Sequence, residues 1–151
     1  MADLMENEVL RAFATYAAIV IVKMMLMGPI TAYFRVTRGA FAHEEDVARK
    51  SPEEKKKLLR TDPEVERVRR CHLNDLENIV PFVVVGLLYA LTRPELSTAL
   101  LHFRIFAGTR IVHTIAYILV LPHFCRGLPY ILGMLVTFSM VYRVLSTALI
   151  L

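Results

Sequence analysis

Pro63-Glu-Val-Glu-Arg-Val-Arg-Arg-Cys-His-Leu-Asn-Asp-Leu-Glu-Asn-Ile-Val-Pro-Phe-Val-Val-Val-Gly-Leu-Leu-Tyr-Ala-Leu91 changes character half-way. Up to Asn78 it is crowded with charge, and from Ile79 to Leu91 it has none. The apolar half is about 13 residues, or roughly 20 Å of helix, whereas a hydrocarbon core is about 30 Å thick. Either this helix does not cross a membrane, or its polar half lies partly inside one, turned toward other helices or water. Its start is marked by Thr61-Asp62-Pro63-Glu64. Thr61 or Asp62 can cap, Pro63 fits the first turn, and Glu64 suits the positive end of the helix dipole.

The rest of the 151-residue chain favours the membrane. Hydrophobic residues make up 56% of it and the mean hydropathy is +0.48, high for a soluble domain of 17.2 kDa. Spans are expected at about 10–34, 65–91, 96–121 and 128–150, forming one domain over 1–151: an all-α, integral membrane four-helix bundle. Pro29 and Pro81 should bend their helices. A polar loop over 35–62, with a short helix after Ser51-Pro52, connects the first two spans.

The formal net charge is +4. On a soluble protein that would suggest nucleic acid. Here the excess gathers between Arg35 and Arg70 and reads as a topology signal, placing loop 35–62 and the Arg126 loop in the cytoplasm. Nucleic acid is not an expected partner. The acidic start is unlike a cleavable signal peptide, and Cys71 and Cys125 form no disulfide framework.

At 100° per residue, Arg70, Asn74 and Glu77 share one helix face, and Arg110, His113 and Tyr117 share another. Arg126 and Tyr130 lie four apart. Counting 1.5 Å per residue, all three groups fall at overlapping depth on the cytoplasmic side. Such convergence reads either as a polar pocket or as a network joining helices. As a pocket it is cationic, with one carboxylate, and suits a ligand with two carboxylates, an ammonium group and a thiol. Lys23, deep in the first span, needs a partner, Asp75 or Glu77. Arg104, about 120° from Arg110, and Arg143 read as structural. No spacing of His and Cys suggests a metal site.

The run Glu66-Arg-Val-Arg-Arg-Cys-His-Leu-Asn-Asp-Leu-Glu-Asn78 with Pro81-Phe82, and the segment Leu101-His-Phe-Arg-Ile-Phe-Ala-Gly-Thr-Arg-Ile-Val-His-Thr-Ile-Ala-Tyr117, resemble the signatures of the membrane-associated eicosanoid and glutathione metabolism (MAPEG) family. Lys23-Met-Met-Leu-Met27 and Leu59-Arg-Thr-Asp62 resemble its microsomal glutathione transferase subgroup. The resemblance covers nearly the whole chain. It implies a homotrimer with glutathione, the co-substrate, held between neighbouring copies. Arg69, Arg70, His72, Asn74, Glu77 and Tyr117 would bind it, with Arg35 from the adjacent copy, and Arg126 would stabilise the thiolate. Arg110, His113 and Tyr130 would be further pocket positions. The implied reaction is conjugation of glutathione to hydrophobic electrophiles, with reduction of lipid hydroperoxides by the same thiolate. The implied location is the endoplasmic reticulum membrane, active site toward the cytosol, or the mitochondrial outer membrane.

The alternatives within that family are a glutathione-dependent prostaglandin E synthase and a non-enzymatic lipid-binding protein. A small channel is the alternative outside it. Gly127 and Leu73 stand where the prostaglandin E synthases carry Ser and Arg, which counts against that activity. His43-Glu44-Glu45-Asp46 departs from the family's usual Asn-Pro-Glu-Asp, and the long loop has no cysteine through which activity could be regulated.

Overall fold

Each long apolar stretch becomes a helix. The computed structural model describes residues 6–148. Helix α1 runs Glu8–Arg38, a short α2 Pro52–Leu58, α3 Pro63–Leu91, α4 Leu96–Ile118 and α5 His123–Ala148. A single 3-10 turn lies at Glu44–Val47. The last two residues of the expected fourth span, 149 and 150, lie outside the described residues. Helix α1 packs on α3 and α4, and α5 on α4 and α3.

Local chemistry sets the helix ends. Asn7 caps α1 by accepting from the amides of Val9 and Leu10. Gly39, at φ 55°, ends α1 in the left-handed conformation that glycine tolerates best. There the Gly39 amide donates to Val36 and the Ala40 amide to Arg35, pairing carbonyls the helix leaves free. The Arg60 guanidinium donates to the Arg38 and Gly39 carbonyls, and Arg38 pairs with Glu64. These contacts tie the C-terminus of α1 to the start of α3. Ser51 and Glu54 form a reciprocal capping box on α2. Asp62, not Thr61, caps α3. Glu95 caps α4, accepting from the amides and hydroxyls of Ser97 and Thr98. These bonds, the Ser97 hydroxyl first, draw its carboxyl down to about 2 from the ordinary 4.5.

The core has an apolar half and a polar half. Phe13, Phe82, Phe103 and Phe106 meet there, with Phe82 stacked on Phe106 at 3.8 Å and Phe13 edge-on to Phe103 at 5.7 Å. Gly86 lets Phe13 lie against α3, since a Cβ would sit 2.5 Å from its ring. In the polar half Lys23 Nζ meets Asp75 Oδ2 at 2.5 Å, with Asp75 fully buried. Lys23 therefore finds Asp75 and not Glu77. Nearby, the Cys71 thiol donates to the Thr114 hydroxyl at 3.7 Å.

Helices α1, α3 and α5 are long and apolar enough to cross a membrane. Many of their large apolar side chains face outward, among them Met25, Leu26, Val84, Leu88, Leu135 and Phe138. A soluble monomer rarely exposes so much. Helix α4 is long enough at roughly 34 Å but is not among the three apolar ones. His102, Arg104, Arg110 and His113 dilute it, and they turn inward or across to neighbours: Arg110 and His113 are buried, and Arg104 donates to the Tyr16 hydroxyl of α1 at 3.1 Å.

Three boundaries differ from expectation, the first being that α1 runs on to Arg38 rather than ending at residue 34, so Arg35 is helical and not in the loop. Helix α4 stops at Ile118 rather than at residue 121, where Val120 takes a positive φ of 58°. Helix α5 begins at His123, not at Leu128, so Cys125 and Arg126 are helical and not in a loop. Gly127, which reads as the end of the loop, sits inside the helix.

Candidate functional site

The first turns of α5 carry the centre of the site. Starting the helix at His123 puts Arg126 one turn in, beside the end of α4. The Arg126 guanidinium lies over the Tyr117 ring, 5.0 Å from its centroid, and Tyr117 in turn lies 4.9 Å from the His113 ring. Asn74, His113, Tyr117, His123, Arg126, Gly127, Tyr130 and Ile131 line one open cleft between α3, α4 and α5. His123 and Ile131 were not evident from the sequence, although His123 lies only three residues before Arg126.

Arg110 is fully buried behind this cleft. One of its Nη atoms donates to Asn74 Oδ1 at 3.0 Å and the other to the Pro129 carbonyl at 3.5 Å. It thereby orients the Asn74 amide and links α3, α4 and α5. Around the cleft, Arg110 Nε, His113 Nδ1 and Arg126 Nε are buried and have no hydrogen-bond partner among the described residues. Buried polar nitrogens normally have partners, so these three are free to hydrogen-bond a polar group entering the cleft. Glu77 lines the adjoining groove between α3 and α5, with Asn78, Pro81, Met134 and Phe138, and Tyr130 borders both spaces.

The remaining expected residues lie elsewhere. Arg35, Arg69 and His72 line a second cleft, between α1 and α3, with Gly28, Thr31, Ala32, Leu73 and Leu76. On α3 the Arg69–His72–Leu76 face is turned about 120° from the Asn74–Glu77 face at 100° per residue. Arg69 meanwhile forms a two-oxygen contact with Glu66, at 2.7 and 3.0 Å. Arg70 is exposed and lines neither cleft. Of the residues grouped by face and depth, Asn74, His113, Tyr117, Arg126 and Tyr130 line one cleft and Glu77 its adjoining groove, while Arg35, Arg69 and His72, named by the resemblance alone, line another cleft on a different face of α3. The helical period already carried that division.

The sequence pattern of the MAPEG family matches residues 13–146. The chain belongs to that family. It is 58% identical over 150 residues to the protein named microsomal glutathione S-transferase 1 of Sus scrofa, covering 99% of this chain and 97% of the relative. The human protein of that name is 55% identical over the same coverage. Prostaglandin E synthase of Bos taurus is 37% identical over 146 residues, covering 97% of this chain and 94% of the relative. In this MAPEG chain Gly127 lines the cleft beside Arg126, and Leu73 lines the other one.

Proposed function

We propose that this chain is a membrane-bound glutathione transferase that joins the glutathione thiolate to lipophilic electrophiles. The observation that carries this is the Arg126–Tyr117–His113 stack in an open cleft where the buried His113 Nδ1 and Arg126 Nε have no partner among the described residues. The similarity to proteins named as glutathione transferases supports it.

The nucleophile is the thiolate, not the thiol. A thiol of ordinary pKa, about 8.5, is roughly 3% ionised at pH 7. The Arg126 charge, together with the positive end of the α5 dipole, favours the anion. Lowering the thiol by about two units would make it roughly three-quarters thiolate, worth about 2.7 kcal/mol. Asn74, oriented by Arg110, offers hydrogen bonds to the peptide, and Glu77 supplies a carboxylate for the ammonium group. In conjugation sulfur bonds to the electrophilic carbon, the leaving group departs with its electron pair, and the thiol proton goes to solvent. With a lipid hydroperoxide the same thiolate attacks oxygen and releases the alcohol. A second glutathione then displaces hydroxide from the resulting sulfenic acid, giving the disulfide and water.

The second cleft supports a homotrimer of four-helix subunits. Arg35 and Arg69 supply cations and His72 a hydrogen-bonding ring for the glutathione carboxylates, but from a cleft between α1 and α3 that a tripeptide held beside Arg126 of the same copy would not meet. Facing the Arg35 cleft of one copy toward the Arg126 cleft of the next completes the site. The location that follows is the endoplasmic reticulum membrane, with the Arg126 end toward the cytosol.

Glutathione conjugation to a chloronitrobenzene in detergent tests the activity, and mixed assemblies test the shared site. Arg35→Ala and Arg126→Ala chains should each be nearly inactive alone. Co-assembled one to one in a directed ring, they should recover about a quarter of the wild-type sites. No recovery would place the whole site within one copy. Isomerisation of a prostaglandin endoperoxide without conjugation activity would assign the chain to the synthases instead.

A further inference from the structure

At the opposite ends of α4 and α5 from Arg126 lies a cleft that the transferase site does not use. It measures about 400 Å³ and is lined by Tyr89, Pro94, Glu95, Thr98, His102, Ser139, Tyr142 and Arg143. That is within the roughly 300–1,000 Å³ usual for small-molecule sites.

Its polar groups are ordered. His102 Nδ1 is 2.7 Å from the Thr98 carbonyl, and Nε2 is 3.0 Å from Ser139 Oγ. A carbonyl only accepts, so Nδ1 carries the proton and Nε2 of the neutral ring is an acceptor. Ser139 therefore donates its proton to His102 and keeps its lone pairs for the cleft. The Tyr89 ring, 5.5 Å from His102, backs the pair. Arg143 follows one turn after Ser139, is exposed, and forms no ion pair among the described residues. Glu95 keeps a negative charge at the other lip. The cleft thus presents a cation, an anion and a hydroxyl acceptor together.

Depth and surroundings indicate what fits. Arg143 lies seventeen residues beyond Arg126, about 25 Å along the axis, so the two arginines stand at opposite edges of a hydrocarbon core. Below the cleft run two exposed apolar stripes, Leu135 and Phe138 on α5 and Leu101, Ile105 and Val112 on α4. We propose that this cleft binds the headgroup of a zwitterionic glycerophospholipid bearing a primary ammonium, from the leaflet opposite Arg126. Arg143 takes the phosphate, Ser139 and Glu95 draw the ammonium, and the acyl chains lie along the two stripes. A quaternary ammonium has no N–H to give Ser139, and an anionic headgroup meets Glu95.

The test is native mass spectrometry of the delipidated full chain in detergent, titrated with phosphatidylethanolamine, phosphatidylcholine or phosphatidylglycerol of identical acyl chains. Phosphatidylethanolamine should be retained in preference to both. Arg143→Gln should weaken its retention about tenfold, the loss of one charge-assisted contact. Ser139→Ala should bring ethanolamine and choline lipids closer while leaving the helical circular dichroism unchanged. Equal retention of the three lipids, a preference for phosphatidylglycerol, or wild-type binding by Arg143→Gln would overturn the proposal. So would competition by free glycerophosphoethanolamine as strong as by the lipid, since the source would then be soluble.

Discussion

Replacing Lys23 by methionine leaves Asp75 without its ion partner. That carboxylate is fully buried, its Oδ2 lies 2.5 Å from Lys23 Nζ, and its Oδ1 has no hydrogen-bond partner among the described residues. Removing one member of a buried pair strands the other, at a cost of about 3–5 kcal/mol. Replacing both with apolar residues of similar size is typically neutral or stabilising. Lys23→Met and Asp75→Leu should therefore each destabilise by about 3–5 kcal/mol, and the double variant should recover most of it, a coupling of about 5 kcal/mol or more. In a chain of this size each kcal/mol shifts the thermal midpoint by about 2–4 °C, so each single variant should melt roughly 6–20 °C lower. The chain has no tryptophan, which makes helical circular dichroism in detergent the natural signal. Single variants as stable as wild type, or a double variant no better than either, would refute the assignment of this pair.

Three further outcomes follow from the fold. Asp62→Ala removes the acceptor of the Glu64 and Val65 amides and should cost about 1 kcal/mol in a denaturant titration. Gly86→Ala drives a methyl into the Phe13 ring, 2.5 Å from its nearest carbon, and should lower stability by about 1–3 kcal/mol, with partial relief from Phe13→Leu in the same background. Glu95 has a carboxyl lowered to about 2, so the stability it adds is fully present above its unfolded value of about 4.5 and disappears as pH falls through 2. The melting difference between wild type and Glu95→Gln should accordingly be constant above pH 5 and vanish toward pH 2. A difference that persists at pH 2 would show that the carboxylate is not the capping species.

Periodicity made much of the architecture legible. Four apolar stretches gave four long helices, and Thr61-Asp62-Pro63 marked the start of α3 to the residue. Lys23, too deep to reach water, pointed to an acid at matching depth on α3. The start of α5 was harder to read. Gly127 is an ordinary chain breaker and reads as the end of a loop, but it sits in the second turn of the helix, where tertiary contacts from α3 and α4 outweigh local propensity. Arg126 therefore stands on a helix where a loop was expected. Face and depth together grouped Arg70, Asn74 and Glu77 on α3, whereas Arg69 and His72 entered only through the resemblance. The 100° step sets Arg69 and His72 on a different face from Asn74 and Glu77, and the two clefts follow it.

The claim that Arg126 stabilises a glutathione thiolate is tested most directly by near-ultraviolet thiolate absorbance when glutathione is added to the purified detergent-solubilised protein, wild type against Arg126→Ala. Wild type should develop the signal near neutral pH, and the variant should lose most of it while keeping wild-type helicity. An equal signal in Arg126→Ala, or none in wild type at saturating glutathione, would contradict the account.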